Sequence, residues 1–223
     1  MNAGSIILAI GVIVFAYLAG SVNFAIVMSK LFTGQDVRSQ GSGNAGTTNV
    51  LRTIGWVPGL LTFVLDAFKG FIACFAGKGV FAYLFGITGA ELFTPIYGAY
   101  ICCIAVMLGH IFPVFFGFKG GKAVATSVGT FAVCCPLAII LGLVGFALSL
   151  IVSRIVSLSS LIATVIVVGV SAVYAVLNQG ATYNAVPVVV MAIIAGIIVF
   201  AKHSENIKRL LNGNEKRILV KKS

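Results

Sequence analysis

Twelve residues, "GSGNAGTTNVLR" (41–52), hold three glycines, three hydroxyl side chains and two asparagines, and close on an arginine. Their chemistry is that of anion recognition. Glycine lets a ligand approach the main chain, and successive N–H groups in such turns form anion-binding concavities. Ser42, Asn44, Gly46, Thr48 and Asn49 supply amides and uncharged hydrogen-bonding groups, and Arg52 supplies a planar fork suited to phosphate. The bland alternative is a solvated linker, but a linker has no need of so apolar-poor a run. A second stretch, Lys119-Gly120-Gly121-Lys122, offers glycine backbone with point-charge cations. It is not a Walker A loop, because Phe116 and Ala123 stand where that pattern requires glycine and a hydroxyl residue.

Three further sets carry polar chemistry. In "SRIVSLSS" (153–160), Ser157 and Ser160 are three apart and share a helical face. Substrate contact and simple helix packing are equally good readings of those serines, and Arg154 can simply snorkel to head groups. In "KHSENIKRLLNGNEKR" (202–217), His203 and Asn206 share a face, inside a basic segment that would also anchor to anionic lipid. Asp66 and Lys69 lie three apart within an apolar run, where charges usually pair and often mark function. A purely structural ion pair is the other reading. His110, a single histidine in an apolar stretch, reads first as a structural hydrogen-bonding group.

What positions these residues must be a membrane scaffold. The chain has 223 residues, 60% of them hydrophobic and only 9% charged, against about 25% charged in soluble domains. Its mean hydropathy is +1.12. Long apolar stretches without strand-like alternation point to helices, not to a β-barrel. The net charge of +10 would suggest nucleic acid in a soluble protein. Here it reads as basic loops on the inner side of a membrane, so no nucleic-acid partner is expected. Cys74, Cys102, Cys103, Cys134 and Cys135 lie in apolar segments without metal-ligand spacing and read as small hydrophobes. Two histidines and five scattered carboxylates suggest no metal, and no cofactor is expected. The apolar N-terminus lacks a basic leader region and reads as a retained span.

Apolar runs fall at about 5–28, 55–76, 96–117, 123–135, 136–153, 158–177 and 185–202. The fourth is short for a span of about 20 residues, and fusing it with the fifth across Pro136 would leave six. Charge decides for seven. With the N-terminus outside, the inner loops and tail collect Lys30, Arg38, Arg52, Lys119, Lys122, Arg154, Lys202, Lys208, Arg209, Lys216, Arg217, Lys221 and Lys222, thirteen of fifteen basic residues. Six spans would put the basic tail outside. The expectation is one all-α polytopic domain over 1–223, with a short fourth helix and a basic cytoplasmic tail at 203–223. Pro136 suits the first turn of the fifth helix. All four polar stretches then face the cytoplasm.

The ordered set "GSGNAGTTNVLR", "LDAFKG", "GHIFPVFFGFKGGKAVAT", "SRIVSLSS" and "HSENIKRLLNGNE" closely resembles the bacterial membrane acyl-phosphate:glycerol-3-phosphate acyltransferases. The likeness runs from about residue 15 to about residue 217. It implies a seven-helix enzyme of the bacterial cytoplasmic membrane that moves a fatty acyl group from a long-chain acyl phosphate to the 1-hydroxyl of glycerol 3-phosphate. The products would be lysophosphatidic acid and phosphate, the first acylation of phospholipid synthesis, in functional link with the enzyme that makes the acyl phosphate. The resemblance places glycerol 3-phosphate near Ser42, Arg52, Lys122, Ser160, His203 and Asn206. It sets the acyl phosphate against Asn44, Gly46, Thr48, Asn49 and the Gly120–Gly121 turn. Three departures stand out: Ala123 replaces the family's glycine after the lysine, Thr47 replaces an alanine, and Asn23 stands where relatives often carry proline. The first is harmless if Ala123 begins a right-handed helix.

The residue inventory constrains mechanism. The soluble glycerophosphate acyltransferases use a histidine and an aspartate four intervening residues apart; here Phe115 and Lys208 stand at that distance after the two histidines. No Gly-x-Ser-x-Gly elbow exists either. The donor's own phosphate is then a candidate base, and His203 is a second. A translocation path is the rival class, since broken glycine-rich segments and intramembrane charge also suit one. A lipid-anchored structural protein is a third. No inverted repeat supports the transporter.

Overall fold

The computed structural model describes residues 2–178 and 186–218, which are helical with no strand among them. Lys221 and Lys222 of the expected basic tail lie outside the described residues. The chain divides into two compact units, Met1–Cys134 and Cys135–Ser223.

In the first unit, α1 (Ala3–Ser21) and α2 (Phe24–Thr33) form the first apolar segment. The expected uninterrupted span at 5–28 is broken at Val22–Asn23. The Asn23 side chain caps α2 by accepting from the Ile26 amide at 3.2 Å, and its amide donates to the Ala45 carbonyl at 3.4 Å. Asparagine thus replaces a proline's helix-starting role with a side-chain cap. A short helix α3 (Thr47–Thr53) leads into α4 (Trp56–Thr88), whose 33 residues far exceed the expected 55–76. At 1.5 Å per residue α4 is about 50 Å long, well beyond a bilayer's hydrocarbon core of about 30 Å. Helix α5 (Pro95–Ile111) starts with proline at its first turn, and α6 (Val124–Cys134) has 11 residues. The fourth apolar helix is therefore short, about 16 Å at the same rise.

Small residues set the packing. A Cβ on Gly20 would strike the Val106 carbonyl, and one on Gly109 would strike the Tyr17 carbonyl, so α1 and α5 touch backbone to backbone. Gly70 and Gly129 make the same close approach between α4 and α6. In lipid, where apolar burial gains little between helices, such close contacts supply the dispersion that holds them.

The second unit contains α7 (Pro136–Ser153), α8 (Val156–Leu177), α9 (Val186–Lys202) and α10 (Ser204–Leu211). Pro136 occupies the first turn of α7 as expected. Helices α9 and α10 meet at a 62° bend. Among the described residues, five segments (3–33, 56–88, 95–116, 136–153 and 156–177) are long and apolar enough to cross a membrane, and the α9–α10 pair makes a sixth if counted as one broken span.

Candidate active site

The loop at 41–46 is built before any ligand is considered. Asn49, 1% exposed, accepts from the Ser42 amide at 2.9 Å and donates to the Val37 and Gln40 carbonyls, each at 3.0 Å. Its side chain is therefore committed to shaping the loop. Gly41 and Gly43 take left-handed φ of +60° and +72°, which only glycine adopts at little cost. Gly46 differs: its φ of −157° is extended, and it precedes α3 as the cap residue. Beneath the loop, Ala25, Ile26, Val37, Ala45 and Val50 form an apolar cluster with Phe116 packed against it. Ser42 and Arg52 are exposed, Asn44 and Thr48 half-buried. Arg52 sits in the last turn of α3, shortly before α4 begins at Trp56.

The lysine loop docks on this one. The Gly120 amide donates to the Ile111 carbonyl at 3.1 Å and the Gly121 amide to the His110 carbonyl at 3.2 Å. A Cβ on Gly121 would strike both His110 Nε2 and the Ala45 carbonyl, so Gly121 is where the two loops meet. The amides of Gly43 and Gly46 are likewise spent, on Gln40 and Asn44 carbonyls at 2.9 and 3.0 Å. This corrects the expected amide cradle around Gly46 and the Gly120–Gly121 turn. These glycines let chain approach chain.

Arg38 ties the loops from outside: it pairs with Asp36 at 2.8 Å and donates to the Phe116 and Lys119 carbonyls at 2.8 and 3.0 Å. Its hydrogen bonds hold the Asp36 carboxyl below the usual carboxylate range. Asp36, Arg38, Gly43, Phe116, Lys119 and Gly120 line an open pocket of about 680 Å³ between the loops. Ala123 does not begin a right-handed helix, the condition on which its replacement of glycine would be harmless. It is fully buried with a φ of +60°, and α6 begins only at Val124. The position asks for glycine, and the alanine Cβ makes it strained.

Below the loops lies a buried charged centre. Lys69 Nζ lies 2.7 Å from Asp66 Oδ1 and 3.0 Å from His110 Nδ1. It also donates to the Val22 and Gly20 carbonyls at 2.6 and 3.0 Å. Those two carbonyls flank the α1–α2 break, where a helix end at membrane depth needs donors. The ammonium supplies them, as a cation at a helix C-terminus should. His110 Nδ1 accepts from Lys69 and lies 3.6 Å from Asp66, too far for a hydrogen bond. Asp66 Oδ2 is buried without a hydrogen-bond partner among the described residues.

In the second unit the polar residues converge on Glu215. Its Oε1 accepts from Ser157 Oγ at 2.8 Å and Asn206 Nδ2 at 2.6 Å, and its Oε2 from Arg209 Nε at 2.6 Å. Burial raises the Glu215 pKa, but these three donors outweigh it and leave the carboxyl below its usual range. The Ile218 amide donates to the Arg154 carbonyl at 2.8 Å, so residues 212–218 fold back along this unit. His203 and Asn206, 2% and 7% exposed, stand at the first turn of α10. His203 Nδ1 lies 2.8 Å from the Val199 carbonyl, which only accepts; the ring therefore carries its proton on Nδ1 and, when neutral, a lone pair on Nε2. Ser160 Oγ donates to the Val156 carbonyl at 2.9 Å. The tail expected at 203–223 thus includes helix α10 and a folded segment.

Residues 10–213 match the family model for glycerol-3-phosphate acyltransferase. The chain belongs to that family. It is 39% identical over 216 residues to a glycerol-3-phosphate acyltransferase of Anaeromyxobacter dehalogenans strain 2CP-C, covering 96% of this chain and 97% of the relative. Glycerol-3-phosphate acyltransferase 2 of Bacillus anthracis is 37% identical over 207 residues, with coverage of 93% and 97%. Crystal structures of PlsY (YgiH), an integral membrane glycerol 3-phosphate acyltransferase, align with TM-scores of 0.78 and 0.75. They share 37% and 36% identity with this chain, which they cover to 94%. The alignments span 95% and 94% of the PlsY chains, which represent the glycerol 3-phosphate and lysophosphatidic acid forms.

Membership makes this a multi-pass membrane acyltransferase of lipid biosynthesis. Sequence reasoning about the acyltransferase site had passed over Glu215, the Asp36–Arg38 clasp and the place of His110. Glu215 carried a signal, as a lone acid among "NGNEKR". His110 carried none, because its partners are 41 and 44 residues away.

Proposed function

We propose that this acyltransferase uses an acyl phosphate donor and acts without an acyl-enzyme. The acceptor is the 1-hydroxyl of glycerol 3-phosphate. Its oxygen bonds to the acyl carbon, the bond from that carbon to the phosphate oxygen breaks, and the hydroxyl proton leaves with inorganic phosphate. Lysophosphatidic acid is the product. The acceptor and product forms of the related PlsY structures support this substrate assignment. A mixed anhydride is already activated, so the protein has mainly to position and neutralise. Arg52 and Lys122 neutralise phosphate; Ser42, Asn44, Thr48, Ser160 and Asn206 orient the reactants. Asn49, Gly46, Gly120 and Gly121 fix the loops that carry those groups.

The observation that carries the reading is the junction at Gly121, where the hydroxyl-rich loop and the lysine loop adjoin. The enzyme is proposed to sit in a bacterial cytoplasmic membrane with seven spans, N-terminus out, and its chemistry on the cytoplasmic side, as the basic loops favour. Its donor would come from an acyl-phosphate-producing enzyme.

The test is purified protein with long-chain acyl phosphate and labelled glycerol 3-phosphate. Labelled lysophosphatidic acid should form and be lost in Lys122→Ala and Arg52→Ala. Activity only with acyl-CoA would overturn the donor, and a trapped covalent acyl-enzyme would overturn direct transfer. Phosphate flux into liposomes without product would support a transporter instead. One observation favours a second reading of His203: its Nδ1 bond to the Val199 carbonyl sets the tautomer that a base acting through Nε2 requires. A pH–rate profile in which activity is lost as pH falls through the ordinary histidine range, a loss absent in His203→Gln, would assign it as the base.

A further inference from the structure

Helices α4, α5 and α6 bring together three cysteines that the acyl-transfer chemistry does not use. The sulfurs of Cys74, Cys103 and Cys134 all lie within 4.8 Å of one another. Cys74 and Cys103 are 0% exposed and Cys134 7%. None of the three is in a disulfide. No sequence spacing announces the cluster, because each member comes from a different helix. The neighbouring cysteines are not part of it: Cys102 Sγ points to the Val12 carbonyl at 3.8 Å, and Cys135 caps α7. A fourth sulfur stands alongside, with Met107 Sδ 3.9 Å from Cys103 Sγ and in contact with Ser127 Oγ at 3.8 Å.

We propose that Cys74, Cys103 and Cys134 form a binding site for a soft monovalent cation of the copper(I) class. Two considerations select that class. The first is geometry: an ion about 2.3 Å from three coplanar sulfurs leaves them about 4 Å apart, inside the 4.8 Å within which they already lie. The second is ligand type: thiol and thioether sulfur without a histidine or carboxylate suits copper(I), whereas zinc seeks a fourth ligand in a closed tetrahedron. The sulfurs ligate as thiolates, so binding would release protons from the thiols. The ion would clamp α4 to α5 and α6, the helix that begins two residues after Lys122.

The test needs no acyltransferase activity and so stands apart from the proposed reaction. Full-length protein in detergent, kept reduced and anaerobic, is titrated with copper(I) against a chromophoric copper(I) chelator. Silver(I) serves as a redox-inert second probe. One equivalent per chain should be retained, with an ultraviolet sulfur-to-copper band and a raised melting temperature. Cys102→Ala and Cys135→Ala should bind as the wild type does. Cys74→Ala, Cys103→Ala and Cys134→Ala should each weaken binding at least tenfold. No retention by the wild-type protein would overturn the site whatever the variants do. Uptake that survives all three replacements would overturn it equally. So would air oxidation that consumes two of the three thiols as a disulfide in protein that takes up no copper when reduced.

Discussion

Two carboxylates organise the polar chemistry of this protein, Asp66 in the first unit and Glu215 in the second, and they do so by different physics. Asp66 is 1% exposed within a membrane helix and is held by one ammonium, with Oδ2 left without a hydrogen bond among the described residues. Glu215 lies on a segment outside any helix and accepts three charge-assisted or neutral hydrogen bonds. In the low-dielectric interior, the charge pair favours an ionised Lys69, whose ammonium donates to the Gly20 and Val22 carbonyls. Near the aqueous face a carboxylate can collect donors from separate elements and serve as a staple. The contrast predicts that the inner centre fails abruptly when one partner is lost. The outer one should loosen in steps and respond to pH.

Four experiments bear on that contrast, in descending order of expected effect. Lys69→Met leaves Asp66 buried and unpaired and should destabilise the protein by about 3–5 kcal/mol in thermal or denaturant unfolding. The double variant Asp66→Leu/Lys69→Met should recover most of that, short by about 1–3 kcal/mol for the carbonyls that lose their donor. Equal loss in the single and double variants would mean that the pair is not the organising feature.

Gly121→Ala probes the loop above the same centre. Its Cβ has no room between His110 and the Ala45 carbonyl, so the loops must part. Activity should fall on the order of 100-fold, as displacement of positioned groups by about 1 Å does. Wild-type kcat/KM in this variant would detach Gly121 from the site.

Glu215→Gln keeps the shape of the outer staple and removes its charge. It should weaken the α10 region by about 1–2 kcal/mol, read as faster amide exchange at the end of α9 and in α10. The sign of the pH effect follows from the depressed carboxyl. Its stabilisation is fully present above the ordinary carboxylate range and is lost as pH falls through the lower folded value. Protection factors in this region, which remove the intrinsic pH dependence of exchange, should therefore fall in acid in the wild type and stay flat in Glu215→Gln.

The smallest effect is Ala123→Gly. Relief of the left-handed φ is worth about 1–2 kcal/mol, and glycine's greater unfolded-state freedom offsets about 0.4–1 of it. A rise in melting temperature of a few degrees is expected; a fall would show that the buried methyl contributes more than the strain costs.

The sequence alone determined that this is a helical membrane protein and which stretches are polar. Composition and run length are one-dimensional properties, and 60% hydrophobic with 9% charged admits no soluble globule. Motif order pointed to the acyltransferase family because the family's spacing lies along the chain. Pro136 at the start of α7 and the shortness of α6 were also readable, since proline and length act locally. The tertiary structure decided what each polar residue is for. Asn49 and the loop glycines looked like ligand contacts, yet their hydrogen bonds go to Val37, Gln40, His110 and Ile111, carbonyls that sequence spacing does not reveal. The carbonyls at the Val22–Asn23 break find their donor in Lys69 of α4, and Ala123 takes a left-handed φ that its residue type does not announce. His110 and the three clustered cysteines met their partners only when α4, α5 and α6 packed through glycine. Composition and local signals are written along the chain; contact is a property of three dimensions.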